Sequence, residues 1–255
     1  MDINPPQAGR GLVSVITPAH NAATTLPACV ASVAAQGDIV KEHIVINDGS
    51  TDATAELLAE LKPSHPKLRL LAQTHKGAGP ARNAGIEAAT GRYIAFLDSD
   101  DLWLPEKLNQ QVQFMQATAA PFTYGAYHIN HQQSGRVIAT YNPPSSACHR
   151  TLLRSCPIGC LTAAFDQRRL GKRYMPTHGR GQDWALWLDL TRHGLIARRY
   201  PGVLATYHRS HQSLSARKLC KAWDMYRIYR EVAGQPPLES LVLLFHHTLS
   251  RLGKP

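Results

Sequence analysis

Between residues 13 and 118 the chain alternates between short apolar runs and helix-patterned stretches, and this alternation constrains the fold more than any other feature. Val13-Ser14-Val15-Ile16-Thr17 is a β-branched run closed by Pro18 and reads as a buried strand. Residues 21–36 read as a helix: Thr24 and Thr25 offer a cap, Pro27 suits the first turn, and Leu26, Val30 and Val33 recur at helical spacing. The cycle repeats with strands at 42–46, 68–72 and 92–97 and helices at 54–62, 81–90 and 105–118. Such a pattern predicts an α/β fold with a mostly parallel central sheet flanked by helices. Ligands in such sheets bind beyond the carboxyl ends of the strands.

After about residue 120 the pattern weakens. Residues 122–129 and 136–141 read as a strand pair, 183–192 as a helix, and 195–200 and 203–207 as two further strands. Residues 216–232 read as a basic helix and 239–252 as an apolar-faced one, separated by Gln235-Pro236-Pro237. The organisation expected is a domain over 1–215 and a C-terminal helical extension over 216–255. A hydrophobic content of 44% supports a sizeable core. No apolar run approaches the roughly 18 residues of a membrane span, and residues 1–11 lack a signal-peptide pattern, so a cytoplasmic protein is expected. The five cysteines are irregularly spaced, as reduced thiols would be.

The carboxyl-end loops carry the chemistry. Asp98-Ser99-Asp100-Asp101 follows an apolar strand. Three carboxylates in four positions repel one another unless a cation compensates, and oxygen ligands of this kind suit Mg²⁺ or Mn²⁺. The same segment could offset the dipole of the helix that follows. Asn47-Asp48-Gly49-Ser50-Thr51-Asp52 combines a carboxylate at a strand end, able to accept hydrogen bonds from a base or ribose, with residues able to cap the next helix. Lys76 to Gly85 (KGAGPARNAG) has glycines that allow close backbone approach and a cation, Arg82, at a helix start. It is neither a dinucleotide fingerprint nor an ATPase phosphate loop.

In this order, these segments resemble the family 2 glycosyltransferases, an inverting class with the GT-A fold. VSVITPAHN at Val13 to Asn21 is similar to the family's first strand and loop. NDGSTD resembles its acidic nucleotide-binding motif, and GPARNAG followed by GRYIAFLDSDD resembles its central signature with the D-x-D metal motif. The resemblance is dense up to about Pro105 and sparser to Ser215. It implies a base site near Pro18 and Asn21, contacted by Asp48 and Arg82. It implies a divalent metal, Mn²⁺ or Mg²⁺, on Asp100 and Asp98, with Asp98 and Ser99 near the ribose or a metal-bound water. Gly181-Gln182-Asp183-Trp184-Ala185-Leu186-Trp187 resembles the family's E-D-W-x-L-W segment, which makes Asp183 the catalytic general base, with Gln182 where the family usually has Glu. His208 to Ser215 resembles its closing R-x-H-x-x-S-x-S segment, which brings Arg209 toward the diphosphate and His211 toward the metal. The implied donor is a UDP-sugar and the implied acceptor a glycan or glycolipid hydroxyl. His65, His75 and His128 are read as ordinary residues.

The charge is uneven. Residues 1–130 hold 9 Lys and Arg against 12 Asp and Glu, and residues 131–255 hold 19 against 6. A basic C-terminal half favours anionic partners. Nucleic acid is not expected, because no recognised motif is present and aromatics are not interleaved with the basic residues. Peripheral contact of the C-terminal helices with an anionic membrane is the expectation that the charge leaves open.

Overall fold

The first half folds as the alternation predicts. β1 (Val13–Ala19), β2 (Val40–Asp48), β3 (Leu68–Gln73) and β4 (Tyr93–Phe96) run parallel, in the order β3-β2-β1-β4. They are linked by α1 (Leu26–Ala34), α2 (Thr54–Leu61) and α3 (Ala78–Ala88). α1 buries Leu26, Cys29, Val30 and Val33, the helical spacing seen in the sequence. This computed structural model describes residues 9–131, 135–177, 179–209 and 218–252.

Past β4 the sheet becomes mixed. The short β5 (Leu102–Trp103) precedes α4 (Lys107–Ala117) and β6 (Phe122–His131). β7 (Val137–Tyr141) pairs antiparallel with β6, as expected. β8 (Ser146–Ala147), α5 (His149–Arg154), β9 (Ala164–Asp166), α6 (Gln167–Leu170), α7 (Gln182–Thr191) and β10 (Ala197–Arg209) follow. β9 lies antiparallel between β4 and β6, while β10 runs parallel to β6. α8 (Lys218–Arg227) continues through a π-turn at Ile228–Val232, and α9 (Pro237–Leu252) ends the described chain.

Three local expectations are corrected. Pro18 does not end the first strand but sits inside β1, opposite Ile46. Pairing with β4 stops at Ile16 and Phe96, so on that side the missing N–H has no strand partner to lose. The first helix begins at Leu26 rather than Asn21, whose backbone is left-handed at φ 49°. The strands expected on either side of Pro201-Gly202 are one strand, β10, irregular between Arg199 and Val203, with Gly202 at φ 88°.

The C-terminal helices share the main core. Met225, Ile228 and Tyr229 pack in one cluster with Trp184, Trp187 and Phe122. The Tyr229 hydroxyl donates to the Leu153 carbonyl at 2.7 Å, and the Trp184 ring lies 5.1 Å from Tyr229 and 5.0 Å from His247. α7 is pinned where Trp187 stacks on Phe122 at 5.0 Å and Trp184 Nε1 donates to the Leu152 carbonyl at 2.8 Å. That anchoring fixes the helix whose first turn carries Asp183.

Candidate active site

Parallel neighbours set their following loops side by side, so the carboxyl ends of β1, β2, β3 and β4 form one rim. Asp48 ends β2 and is 2% exposed. Its Oδ1 accepts from Gln73 Nε2 at 2.6 Å and Lys76 N at 2.9 Å, and its Oδ2 from Gly77 N at 2.8 Å. Burial alone would raise the carboxyl's pKa; the donors from Lys76, Gln73 and Gly77, with His75 near by, outweigh it and hold the group below its usual range. Gly77 delivers its N–H from φ 93°, a conformation that side chains disfavour.

Two histidines flank this carboxylate. His20 Nδ1 and His75 Nδ1 lie 2.8 and 3.1 Å from the Asp48 carbonyl, and the two rings are 4.0 Å apart. A carbonyl only accepts, so both Nδ1 atoms are the protonated ones. Sequence reasoning passed over His20 and read His75 as ordinary. The available signal was topological: His20 follows β1 and His75 follows β3, the two strands on either side of β2.

Asn21 braces the neighbouring loop. Its Oδ1 accepts from Thr51 N at 2.8 Å, and its N donates to Ser50 Oγ at 3.1 Å. Asp52 Oδ1 accepts from Thr54 N at 3.0 Å, the first N–H of α2, while the cap position itself falls on Ala53, whose side chain caps nothing. Pro18 sits half-buried at the same rim.

Arg82, 8% exposed, reaches from the first half of α3 to Asp98 and forms an ion pair through Nη2. Its Nε is buried without a hydrogen-bond partner. Burial opposes the cation, and the charge of Asp98, supported by Asp183, more than restores it. Asp100 and Asp101 are pushed up by burial and then by neighbouring carboxylates. His208 ties this turn to β10: its N donates to Asp101 Oδ1 at 3.0 Å and its Nδ1 to the Asp100 carbonyl at 2.7 Å. That anchoring role was not read from the sequence. Arg209 follows at the end of β10, on the same strand face as Tyr207, which feels Asp101, Asp100 and Asp98. Ser99 is partly exposed between the two D-x-D carboxylates. His211 lies outside the described residues.

Asp183 stands in the first turn of α7, raised by burial and lowered in part by Arg82. Arg82 thus links the acidic turn to the carboxylate read as the base. Gln182 packs on Gly79, where an added Cβ would sit 2.6 Å from the Gln182 amide carbon. Beside Asp183 opens a cavity of about 180 Å³, lined among others by Cys156, Ile158, Arg180, Trp184, Met225 and His247. A cavity of about 290 Å³ near His43 and His65 gathers none of these carboxylates.

Two sets of groups can be tested against a divalent metal. His20, Asp48 and His75 offer three ligand-type atoms within 4.8 Å of one another. The Asp48 carboxylate, however, is already taken up by Gln73 Nε2, Lys76 N and Gly77 N, so the trio fits a brace around that residue better than a metal cage. Asp98 and Asp100 supply partly exposed hard oxygens with surplus negative charge. That fits Mg²⁺ or Mn²⁺, which takes one or two carboxylates and completes its shell with phosphates and water.

A parallel sheet half with carboxylates and a buried arginine at its rim, with a further carboxylate on α7 near that arginine, is the arrangement expected of a GT-A transferase site. The glycosyl transferase family 2 model matches residues 14–173. TuaG of Bacillus subtilis (strain 168), a glycosyltransferase named for teichuronic acid biosynthesis, is 35% identical over 87% of this chain and 88% of its own. The Escherichia coli UDP-Glc:α-D-GlcNAc-diphosphoundecaprenol β-1,3-glucosyltransferase WfgD is 35% identical over 84% of this chain and 85% of its own. The mannosyltransferase PcManGT of Pyrobaculum calidifontis, solved with GDP-Man and Mn²⁺, superposes with a TM-score of 0.67 at 20% identity, covering 95% of this chain and 70% of that one. The chain belongs to glycosyl transferase family 2 and is a glycosyltransferase of the GT-A fold.

Proposed function

We propose that the protein transfers a sugar from a UDP-sugar to a hydroxyl of a lipid-linked glycan in cell-surface polysaccharide synthesis, with inversion at the anomeric carbon. The observation that carries this reading is the arrangement around Arg82, which pairs with Asp98 on the donor side and bears electrostatically on Asp183. The undecaprenol-linked acceptor and UDP-glucose donor in the name of WfgD support the substrate classes.

Asp48 receives the base or ribose, and Pro18 and Asn21 form the adjoining wall. Arg82 offsets charge on the departing diphosphate, joined by Arg209 at the end of β10 and by His211. Asp100 and Asp98 would hold a divalent metal, Mn²⁺ or Mg²⁺, which would supply Lewis-acid compensation to the same leaving group. Asp183 removes the proton from the acceptor hydroxyl; its burial raises its proton affinity, and Arg82 limits that rise. One carboxylate acting in one displacement inverts the configuration. The acceptor enters the cavity beside Asp183, which the extension after residue 215 closes through Met225 and His247.

The test is transfer from UDP-glucose and UDP-GlcNAc to a GlcNAc-diphospholipid acceptor with Mn²⁺. Asp183→Asn should keep donor binding and lose at least 100-fold in kcat. Full activity in that variant would remove Asp183 from the mechanism. Donor binding without transfer by the wild type, to any glycan acceptor, would favour a sugar-nucleotide-binding protein.

A further inference from the structure

α9 carries leucines on two opposite sides. Ser240, Leu243, Leu244 and His247 face the protein, and Ser240 and His247 are fully buried. Leu238, Leu241, Val242 and Phe245 fall at the same i, i+3, i+4, i+7 spacing on the other side and are 74%, 54%, 50% and 63% exposed. A surface helix ordinarily turns polar residues outward; a contiguous apolar stripe left exposed marks a surface that is covered in use. Within the described chain nothing covers the outer stripe. Its length and composition also exclude a span, because no described helix is long and apolar enough to cross a membrane.

The surroundings indicate the occupant. A groove of about 590 Å³ separates α9 from α5, lined by Leu238, Val242, Leu153, Arg150 and Arg154, with Glu239 its one acidic member. Arg150 and Arg154 are exposed, and no ion pair with them occurs among the described residues. An apolar stripe beside unpaired guanidinium groups complements a bilayer surface, with acyl chains for the stripe and anionic headgroups for the cations. A second copy of the chain fits less well, because it would bring two halves with 19 basic against 6 acidic residues face to face. The inner side of the same helix lines the cavity at Asp183 through His247.

We infer that the outer face of α9, with Arg150 and Arg154 of α5, is a docking surface for an anionic lipid bilayer. It seats the enzyme so that the cavity at Asp183 lies close to the membrane that holds the acceptor. The contact is thus a stripe on α9 flanked by α5. The inference rests on the lipid-linked acceptor reading for its purpose, but not for its test.

The full chain is sedimented with vesicles of phosphatidylcholine alone and of phosphatidylcholine mixed with the anionic lipid phosphatidylglycerol. Wild type should bind the anionic vesicles, and binding should fall with salt. Leu241→Ser/Phe245→Ser should weaken it about tenfold or more, and Arg150→Glu/Arg154→Glu should abolish the preference for anionic vesicles. Both pairs are exposed, so thermal stability and UDP binding should stay at wild-type values, as should transfer to a short-chain, water-soluble acceptor. Equal binding by wild type and the stripe variant would overturn the inference. So would a wild-type dimer in light scattering that the stripe variant turns to monomer without any vesicle binding. Loss of transfer to the soluble acceptor in wild type would instead count against the acceptor reading and leave the vesicle result standing.

Discussion

Replacing Arg82 by Gln would remove the cation that the site is built around while keeping most of its volume. The Arg82 side chain is 9% exposed and that of Asp98 33%. Removing one partner of a buried pair costs about 3–5 kcal/mol, because the other charge is left uncompensated. Asp98 is a third exposed and can recover some hydration, so the expected loss is about 2–3 kcal/mol. In a chain of this size that lowers Tm by roughly 4–12 °C. A second consequence is more specific. Without the guanidinium, Asp98 and Asp100 face each other with their charge unrelieved, so added Mn²⁺ should raise the variant's Tm by more than that of wild type. Donor binding should weaken at the same time. Differential scanning fluorimetry with and without Mn²⁺ and UDP reads all three effects. A Tm within a degree or so of wild type, together with an unchanged Mn²⁺ response, would refute the view that Arg82 and the metal compensate the same carboxylates.

Glu42 gives a pH prediction. Burial would raise its pKa, but Ser14, Thr90 and Arg69 donate to it and bring it from 4.5 to about 2. A depressed carboxyl stabilises the fold fully above its unfolded value and loses that contribution as pH falls from about 4.5 toward 2, which amounts to about 3 kcal/mol. Glu42→Gln should therefore lower the urea midpoint at pH 7 and flatten its fall in acid; a parallel pH curve would contradict this. Gly85→Ala and Gly79→Ala should differ. At position 85 the new Cβ lies 2.5 Å from Ile16 and 3.0 Å from Ile46, both branched and fixed in strands, so a loss of about 1–3 kcal/mol is expected from urea denaturation. At position 79 its nearest contacts are with the movable end of Gln182, so Tm should hold, and any fall in kcat would report a role for Gln182 beside Asp183. His208→Ala removes the side-chain tie to the Asp100 carbonyl and should weaken donor binding in Mn²⁺ more than in its absence; an equal effect in both would make the tie merely structural.

Much of the donor side was legible because apolar strands ending in acidic or glycine-rich turns place their own residues. Asp48, Asp98 and Arg82 needed only the strand–helix alternation to be brought to one rim. What stayed hidden depended on contacts between distant segments. His20 and His75 are 55 positions apart and meet only because β1 and β3 flank β2. His208 reaches Asp100 and Asp101 across more than 100 residues, through a sheet whose mixed half has no simple periodic signature. Pro18 looked like a strand end because its missing N–H is costly inside a sheet, and only the early stop of β4 removes that cost. The basic character of α8 drew attention in the sequence, whereas the exposed stripe on α9 could not be told from a core-facing one until the helix was packed.

The most direct test of the donor-site account is a thermal-shift screen of UDP, GDP, dTDP and CDP on the wild-type protein, each with and without Mn²⁺. The account predicts that UDP raises Tm, that it does so only with the metal, and that Asp100→Asn abolishes the effect. No shift with any nucleotide at millimolar concentration, or a UDP shift that ignores both Mn²⁺ and Asp100→Asn, would contradict the placing of a metal-held diphosphate at Asp98 and Asp100.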